Sequence, residues 1–218
     1  MSSCLEILGM CLNAGGALMV MVACGLPTWK VTAYLDGNIV VAQTFWDGLW
    51  MSCVVQSTGQ MQCKLHDSML SLSADLQTAR ALTVLAALIG VAGAAFTVAG
   101  ARCTNCVNTP ATKAQAVMCG GALCVVAGLF VLVPVCWMAN NIISDFYNPQ
   151  VPHANKREIG SALYIGWAAA ALLLLAGAAL CCSGLQDGKT AAAEQNMIKY
   201  PISKSPMLNG DYDKRNYV

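Results

Sequence analysis

Four long stretches without a charged residue constrain this chain more than any other feature of its sequence. They contain 23, 21, 31 and 28 residues, and they lie between Glu6 and Lys30, Arg80 and Arg102, Lys113 and Asp145, and Glu158 and Asp187. An α-helix crosses the hydrocarbon core of a bilayer with about 20 apolar residues, so each stretch can hold one crossing. Only 11% of the chain is charged, whereas soluble domains carry about 25%. The sequence therefore predicts an integral membrane protein, not a soluble protein with buried core helices, with spans at about 7–26, 81–101, 116–137 and 161–182.

An even number of spans puts both termini on one side of the membrane and the two outer segments, 27–80 and 138–160, on the other. Lys and Arg divide seven to five in favour of the terminal side, and cytoplasmic loops carry an excess of these residues. We therefore expect cytoplasmic termini. Residues 183–218 are polar and rich in Gly, Ser, Pro and Lys, a composition that predicts a disordered cytoplasmic tail.

The first outer segment carries two cysteines, Cys53 and Cys63, on either side of Ser57-Thr58-Gly59. Cysteines in an extracytoplasmic segment favour a disulfide, and a reduced pair is the alternative. If they pair, an antiparallel hairpin aligns Val54 with Gln62. Side chains alternate between the two faces of a strand, so we expect one polar face to meet water: Val54, Gln56, Gln60, Gln62 and Lys64. Two further β-prone pieces precede the hairpin, at Val31–Leu35 and Ile39–Val41.

Four other cysteines lie at the predicted cytoplasmic ends of the spans: Cys103, Cys106, Cys181 and Cys182. Juxtamembrane cysteines of this kind are typical sites of palmitoylation, so we expect contact with membrane lipid. Free thiols and a zinc site remain as alternatives, although an adjacent Cys-Cys pair is poor spacing for tetrahedral coordination. We predict neither a metal nor a cofactor.

The sequence gives no support for catalysis. Its two histidines, His66 and His153, both fall in the outer segments, and we recognise no catalytic triad, phosphate loop or carboxylate pair. The four uncharged runs also argue against a transport pathway through the bundle, because such pathways place ionisable groups within the membrane. A net charge of +1 does not favour nucleic acid as a partner. We expect a protein that is not an enzyme.

One set of residues carries a family resemblance: Trp29, Gly48, Leu49 and Trp50, then Cys53, Cys63 and Arg80. Their order and spacing resemble the signature of the claudins, a family of four-span tight-junction proteins. The segments Asp145–Pro149 and Lys156–Glu158 and the terminal Tyr217-Val218 are also similar. The resemblance implies a left-handed four-helix bundle with a small extracellular antiparallel sheet.

Residue roles follow from the same resemblance. It implies strands that seal the paracellular space, either as a barrier or with a slight preference for anions, and pore-lining candidates Gln56, Gln60, Gln62, Lys64 and Asp67. It implies side-by-side assembly through Met69, received by Phe146, Tyr147 and Ile159 of a neighbour. The implied partners are other claudins in the same and the opposing plasma membrane, and zonula occludens scaffolds whose PDZ domains bind Tyr217 and Val218. An auxiliary tetraspan of the wider family, either of peripheral-myelin type or a channel regulatory subunit, is the alternative.

Overall fold

Four helices and a five-stranded sheet make up the computed structural model, which describes residues 2–32, 43–56, 58–66, 73–101, 109–152 and 156–199. In chain order the elements are α1 Ser2–Gly25, β1 Lys30–Thr32, β2 Gln43–Asp47, β3 Met51–Gln56, β4 Met61–Leu65, α2 Ala74–Gly100, α3 Pro110–Tyr147, β5 Arg157–Ile159 and α4 Ser161–Lys199. The predicted fold class, a helical membrane bundle with a small antiparallel sheet, is confirmed.

Each helix is long and apolar enough to cross a membrane, with a mean hydropathy between 2.0 and 2.6 in its most apolar window. All four extend beyond the predicted spans at one end or both. α2 begins at Ala74 and α3 continues to Tyr147, because no helix breaker interrupts either extension and their inner sides, including Leu76 and Ile142, are buried.

The fourth helix also passes its predicted end at Cys182. We expected a disordered tail from Ser183, whereas the structure describes helix as far as Lys199. Ser183 is fully buried and Ala191 nearly so, and Gly184 lies against α3 at Met118. The run of alanines at 191–193 also favours helix. Residues 200–218 lie outside the described ones.

Small residues allow the helices to approach one another closely. α3 packs against both α2 and α4, and α1 packs mainly against α4. A methyl group on Gly120 of α3 would lie 2.9 Å from the carbonyl oxygen of Gly93 in α2, and one on Gly177 of α4 would lie 2.7 Å from that of Gly121. Glycines at such crossings let backbones touch, which suits helix packing in a bilayer. The left-handed arrangement stays a prediction.

The sheet joins both outer segments, in the strand order β4-β3-β2-β1-β5. Neighbouring strands are antiparallel, and β5 from the second outer segment pairs with β1 at the start of the first. The sequence pattern predicted β1, β3 and β4 approximately, but it missed β2 and β5. Residues 33–42, which include the predicted strand at 39–41, lie outside the described ones.

Candidate functional site

Trp29 fixes the sheet to the top of the bundle. Its side chain is fully buried, and its indole nitrogen donates a 2.8 Å hydrogen bond to the carbonyl of Ala23 in the last turns of α1. Its backbone N–H donates to Asp47 at 3.1 Å, and its carbonyl accepts from Gly160 at 3.2 Å. One residue therefore connects α1, the last residue of β2 and the start of α4.

The loop between β2 and β3 forms the second attachment. Both Nε and Nη2 of Arg80, at the outer end of α2, donate to the carbonyl oxygen of Leu49, with 3.0 Å for the Nε bond. The guanidinium lies 4.5 Å from the ring centre of Trp50, whose indole N–H points to Cys24 at 3.4 Å. A side chain at Gly48 would come within 2.4 Å of the Pro27 backbone. The family-motif residues therefore form a structural anchor between sheet and bundle.

The expected disulfide is present between Cys53 and Cys63. The predicted register is also confirmed, with Val54 opposite Gln62 in the ladder. The connecting turn is closed by Gly59, whose φ of +78° lies in the left-handed region that favours glycine. The bond thus locks the hairpin that carries most of the predicted pore-lining residues.

One face of this sheet, which we call the polar face, collects charged and polar side chains from all five strands. The registers align one row across the sheet and a second row two residues further along each strand. The first row is Ile159, Lys30, Asp47, Ser52 and Lys64, and the second is Arg157, Thr32, Phe45, Val54 and Gln62. Gln56 continues this face beyond Val54. Gln56, Gln62 and Lys64 therefore share one face, and exposed Gln60 lies in the turn beside it. Asp67 lies outside the described residues.

An ion pair between the two outer segments lies at the centre of the polar face. Arg157 Nη2 is 3.5 Å from Asp47 Oδ2, and Arg157 Nη1 donates to Thr32 Oγ1 at 2.9 Å. Ser52 donates to Asp47 Oδ1 at 2.9 Å, and His66 Nε2 lies 3.5 Å from the same hydroxyl. Local sequence patterns do not place Lys30, Asp47 or Arg157 on this face, because their position depends on strand pairings between distant segments.

The opposite face of the hairpin is apolar, and part of it is nevertheless exposed to solvent. It carries the disulfide together with Met61 and Leu65, which are 54% and 63% exposed. Both residues lie on the edge strand β4, all of which is exposed. Both faces of β4 are therefore open in the isolated chain.

A groove of about 300 Å³ lies between the outer end of α3, β5 and the start of α4. It brings together Phe146, Tyr147 and Ile159, the three residues predicted to receive a neighbour. The two aromatic rings meet edge to face, with centroids 5.6 Å apart, and Tyr147 is 79% exposed. Met69, the predicted inserting residue, lies outside the described residues.

Two of the remaining predicted site residues lie on α4, on the other side of the predicted fourth span from the sheet. Cys182 is exposed and Cys181 is half-buried on α4, whereas Cys103, Cys106, Tyr217 and Val218 lie outside the described residues. Among the described residues, no group of three or more His, Cys, Asp or Glu side chains is placed to hold a metal ion.

A disulfide-locked sheet fixed to four membrane-spanning helices defines a four-span membrane protein with a structured outer surface. Comparison with known proteins gives the family. Residues 2–180 match the model described as the PMP-22/EMP/MP20/Claudin family, and the chain belongs to the claudins within it.

Several similar proteins match along the whole chain. Claudin-5 of Mus musculus is 53% identical over 218 residues, which is 100% of this chain and 99% of the relative. Claudin-3 of Canis lupus familiaris is 51% identical over 218 residues, 100% of both chains. Claudin-6 of Homo sapiens is 49% identical over 219 residues, 100% of this chain and 99% of the relative.

Proposed function

We propose that this claudin is a structural cell-adhesion protein of tight junctions, where its anchored sheet seals the paracellular space. The observation that carries the proposal is the polar face, a surface with cationic side chains built on a rigid support. It is held by a disulfide within the sheet and by the Arg80–Leu49 hydrogen bonds to the bundle. A rigid surface of this kind suits a seal, because its charges stay in fixed positions relative to the membrane.

The charge of the polar face supports a barrier, or a weak preference for anions. Lys64 is exposed on β4, directly across the ladder from Ser52. Replacing Lys64 with Asp would change the local charge by two units and shift permeability towards cations. Unchanged charge selectivity in that variant would contradict the role of Lys64 as a selectivity residue.

Assembly with further claudins in the same membrane would use the groove beside β5. Arg157 and Glu158 also line it, but most of its lining is apolar or aromatic, including Phe146, Tyr147 and Ile159. This lining is complementary to an apolar side chain such as that of Met69 from a neighbour. Sheets that project from opposing cells would meet across the intercellular space. Both kinds of contact make other claudins the principal partners.

The cytoplasmic side provides the remaining proposed contacts. Tyr217 and Val218 at the chain end would bind PDZ domains of zonula occludens scaffolds by strand addition and capture of the carboxylate. Cys103, Cys106, Cys181 and Cys182 would carry acyl chains that enter the inner leaflet. Both assignments require cytoplasmic termini and a location in the plasma membrane at cell contacts.

The decisive experiment is to express the chain in claudin-poor epithelial cells. The proposal predicts junctional strands and increased transepithelial resistance, with a NaCl dilution potential that is neutral or biased towards chloride. A chain that reaches the surface but gives neither strands nor an electrical effect would refute the proposal. That result would instead favour the auxiliary tetraspan.

A further inference from the structure

We infer that the two outer segments jointly set the charge that a solute meets on the polar face, through the ion pair of Asp47 and Arg157. Arg157, from the second outer segment, is therefore a selectivity-determining residue for small inorganic ions. The inference rests on the proposed function, because it concerns ions that pass along this face in a tight junction.

The strand registers place the four charges of the polar face in a defined pattern. Lys30, Asp47 and Lys64 belong to one cross-strand row, on β1, β2 and β4. Since adjacent strands are about 4.8 Å apart, Asp47 lies about 5 Å from Lys30 and about 10 Å from Lys64, measured between backbones. Arg157 occupies the second row, one strand beyond β1. The carboxylate of Asp47 thus lies among three cations.

Several contacts hold this carboxylate and the guanidinium together. One oxygen of Asp47 accepts from Ser52, and the other faces Arg157. Arg157 is held in turn by Thr32 and lies 5.5 Å from the ring centre of Phe45. Both charged side chains keep about a quarter of their surface exposed. Their charges are therefore fixed in position and still accessible to a passing ion.

The net charge of this face depends on the pair. The charged side chains that the described strands place there are Lys30, Lys64 and Arg157 against Asp47, a balance of three minus one, or +2. Loss of Arg157 lowers the balance to +1 and leaves Asp47 facing the solution without its guanidinium partner. Loss of Asp47 raises the balance to +3. The second outer segment can therefore change selectivity although it contributes only three residues to the sheet.

Three variants test the inference in claudin-poor epithelial cells, with the ratio of chloride to sodium permeability read from dilution potentials. In water, one unit charge at about 8 Å, with physiological screening, changes the local concentration of each ion by about 1.4-fold in opposite directions. We therefore expect Arg157→Gln to lower the ratio about twofold and Asp47→Asn to raise it by a similar factor. The double variant restores the balance to +2 and should return the ratio to the wild-type value.

Two controls separate charge from structure. Arg157→Lys keeps the charge and should keep the wild-type ratio, even if it loses the bond to Thr32. Asp145→Asn makes the same charge change as Asp47→Asn at an exposed position on α3 rather than on a strand of the polar face, and should leave the ratio unchanged.

An unchanged ratio in Arg157→Gln, or a double variant that does not return to the wild-type value, would overturn the inference while the proposed function stands. A wild-type chain that forms no strands would overturn both. If Arg157→Gln and Arg157→Lys shifted the ratio equally, the effect would be due to the geometry of the sheet, and the inference would also fail.

Discussion

Replacing Arg80 with Met would test how the sheet is held on the helix bundle. Methionine keeps much of the aliphatic length of arginine but has no hydrogen-bond donors. The carbonyl oxygen of Leu49, in a fully buried residue, would lose both of its bonds to the guanidinium. The ring of Trp50 would also lose its cation at 4.5 Å. We therefore expect a marked loss of stability that is localised at the junction of sheet and bundle.

The magnitude follows from these lost contacts. Hydrogen bonds from a charged donor contribute about 1.5–3 kcal/mol, and a largely desolvated cation–π contact adds about 1–2 kcal/mol. Removing a charge from a site where Arg80 is only 7% exposed recovers part of the desolvation cost. The net destabilisation is therefore about 2–4 kcal/mol. For a chain of this size each kcal/mol lowers Tm by about 2–4 °C, so we expect a decrease of about 4–16 °C.

Thermal unfolding of the purified protein in detergent, followed by tryptophan fluorescence, measures this decrease. Arg157→Met is the matched control, because the ion pair with Asp47, the hydrogen bond to Thr32 and the contact with Phe45 are partly exposed to water and together contribute about 1 kcal/mol. Its Tm should fall by no more than about 4 °C. Equal Tm values for Arg80→Met and Arg157→Met would show that the buried contacts of Arg80 with Leu49 and Trp50 do not contribute the stability calculated above.

Three further variants address other parts of the site. Removing the disulfide by replacing both Cys53 and Cys63 with Ser should lower the free energy of unfolding by about 2–4 kcal/mol. An unchanged denaturation midpoint would contradict this. Gly48→Ala should prevent the loop from closing on the Pro27 backbone and reduce the folded yield, and surface expression equal to that of wild type would contradict the close approach. Phe146→Ala should remove an aromatic wall of the groove and shorten junctional strands in freeze-fracture images, with normal strands as the contrary result.

The sequence predicts the four spans well because the bilayer imposes a direct requirement on composition. A run without charges of the required length is a strong signal, and each of the four runs lies largely within one helix of the structure. The ends of the helices are less predictable, because packing decides them. α3 continues to Tyr147 since Met138 and Ile142 bury their side chains against the core, a contact that local composition does not encode.

The polar face could be predicted only where the two strands are close in sequence. Cys53 and Cys63 define the hairpin register, and this register correctly places Gln62 and Lys64 on the same side as Val54. Arg157 reaches the face through a pairing with Thr32, 125 residues away. Its three-residue strand is too short for an alternating pattern to be recognised, so the ion pair with Asp47 was missed.

The pairing of β5 with β1 has a mechanical consequence for a protein placed between cells. β1 follows α1, β4 precedes α2, and β5 lies between α3 and α4, so the sheet is joined to all four helices. A pull applied to the sheet from an opposing cell is therefore shared by four membrane anchors. The β1–β5 ladder is short and carries part of this load, and tension along the strands would shear its hydrogen bonds together rather than break them one at a time.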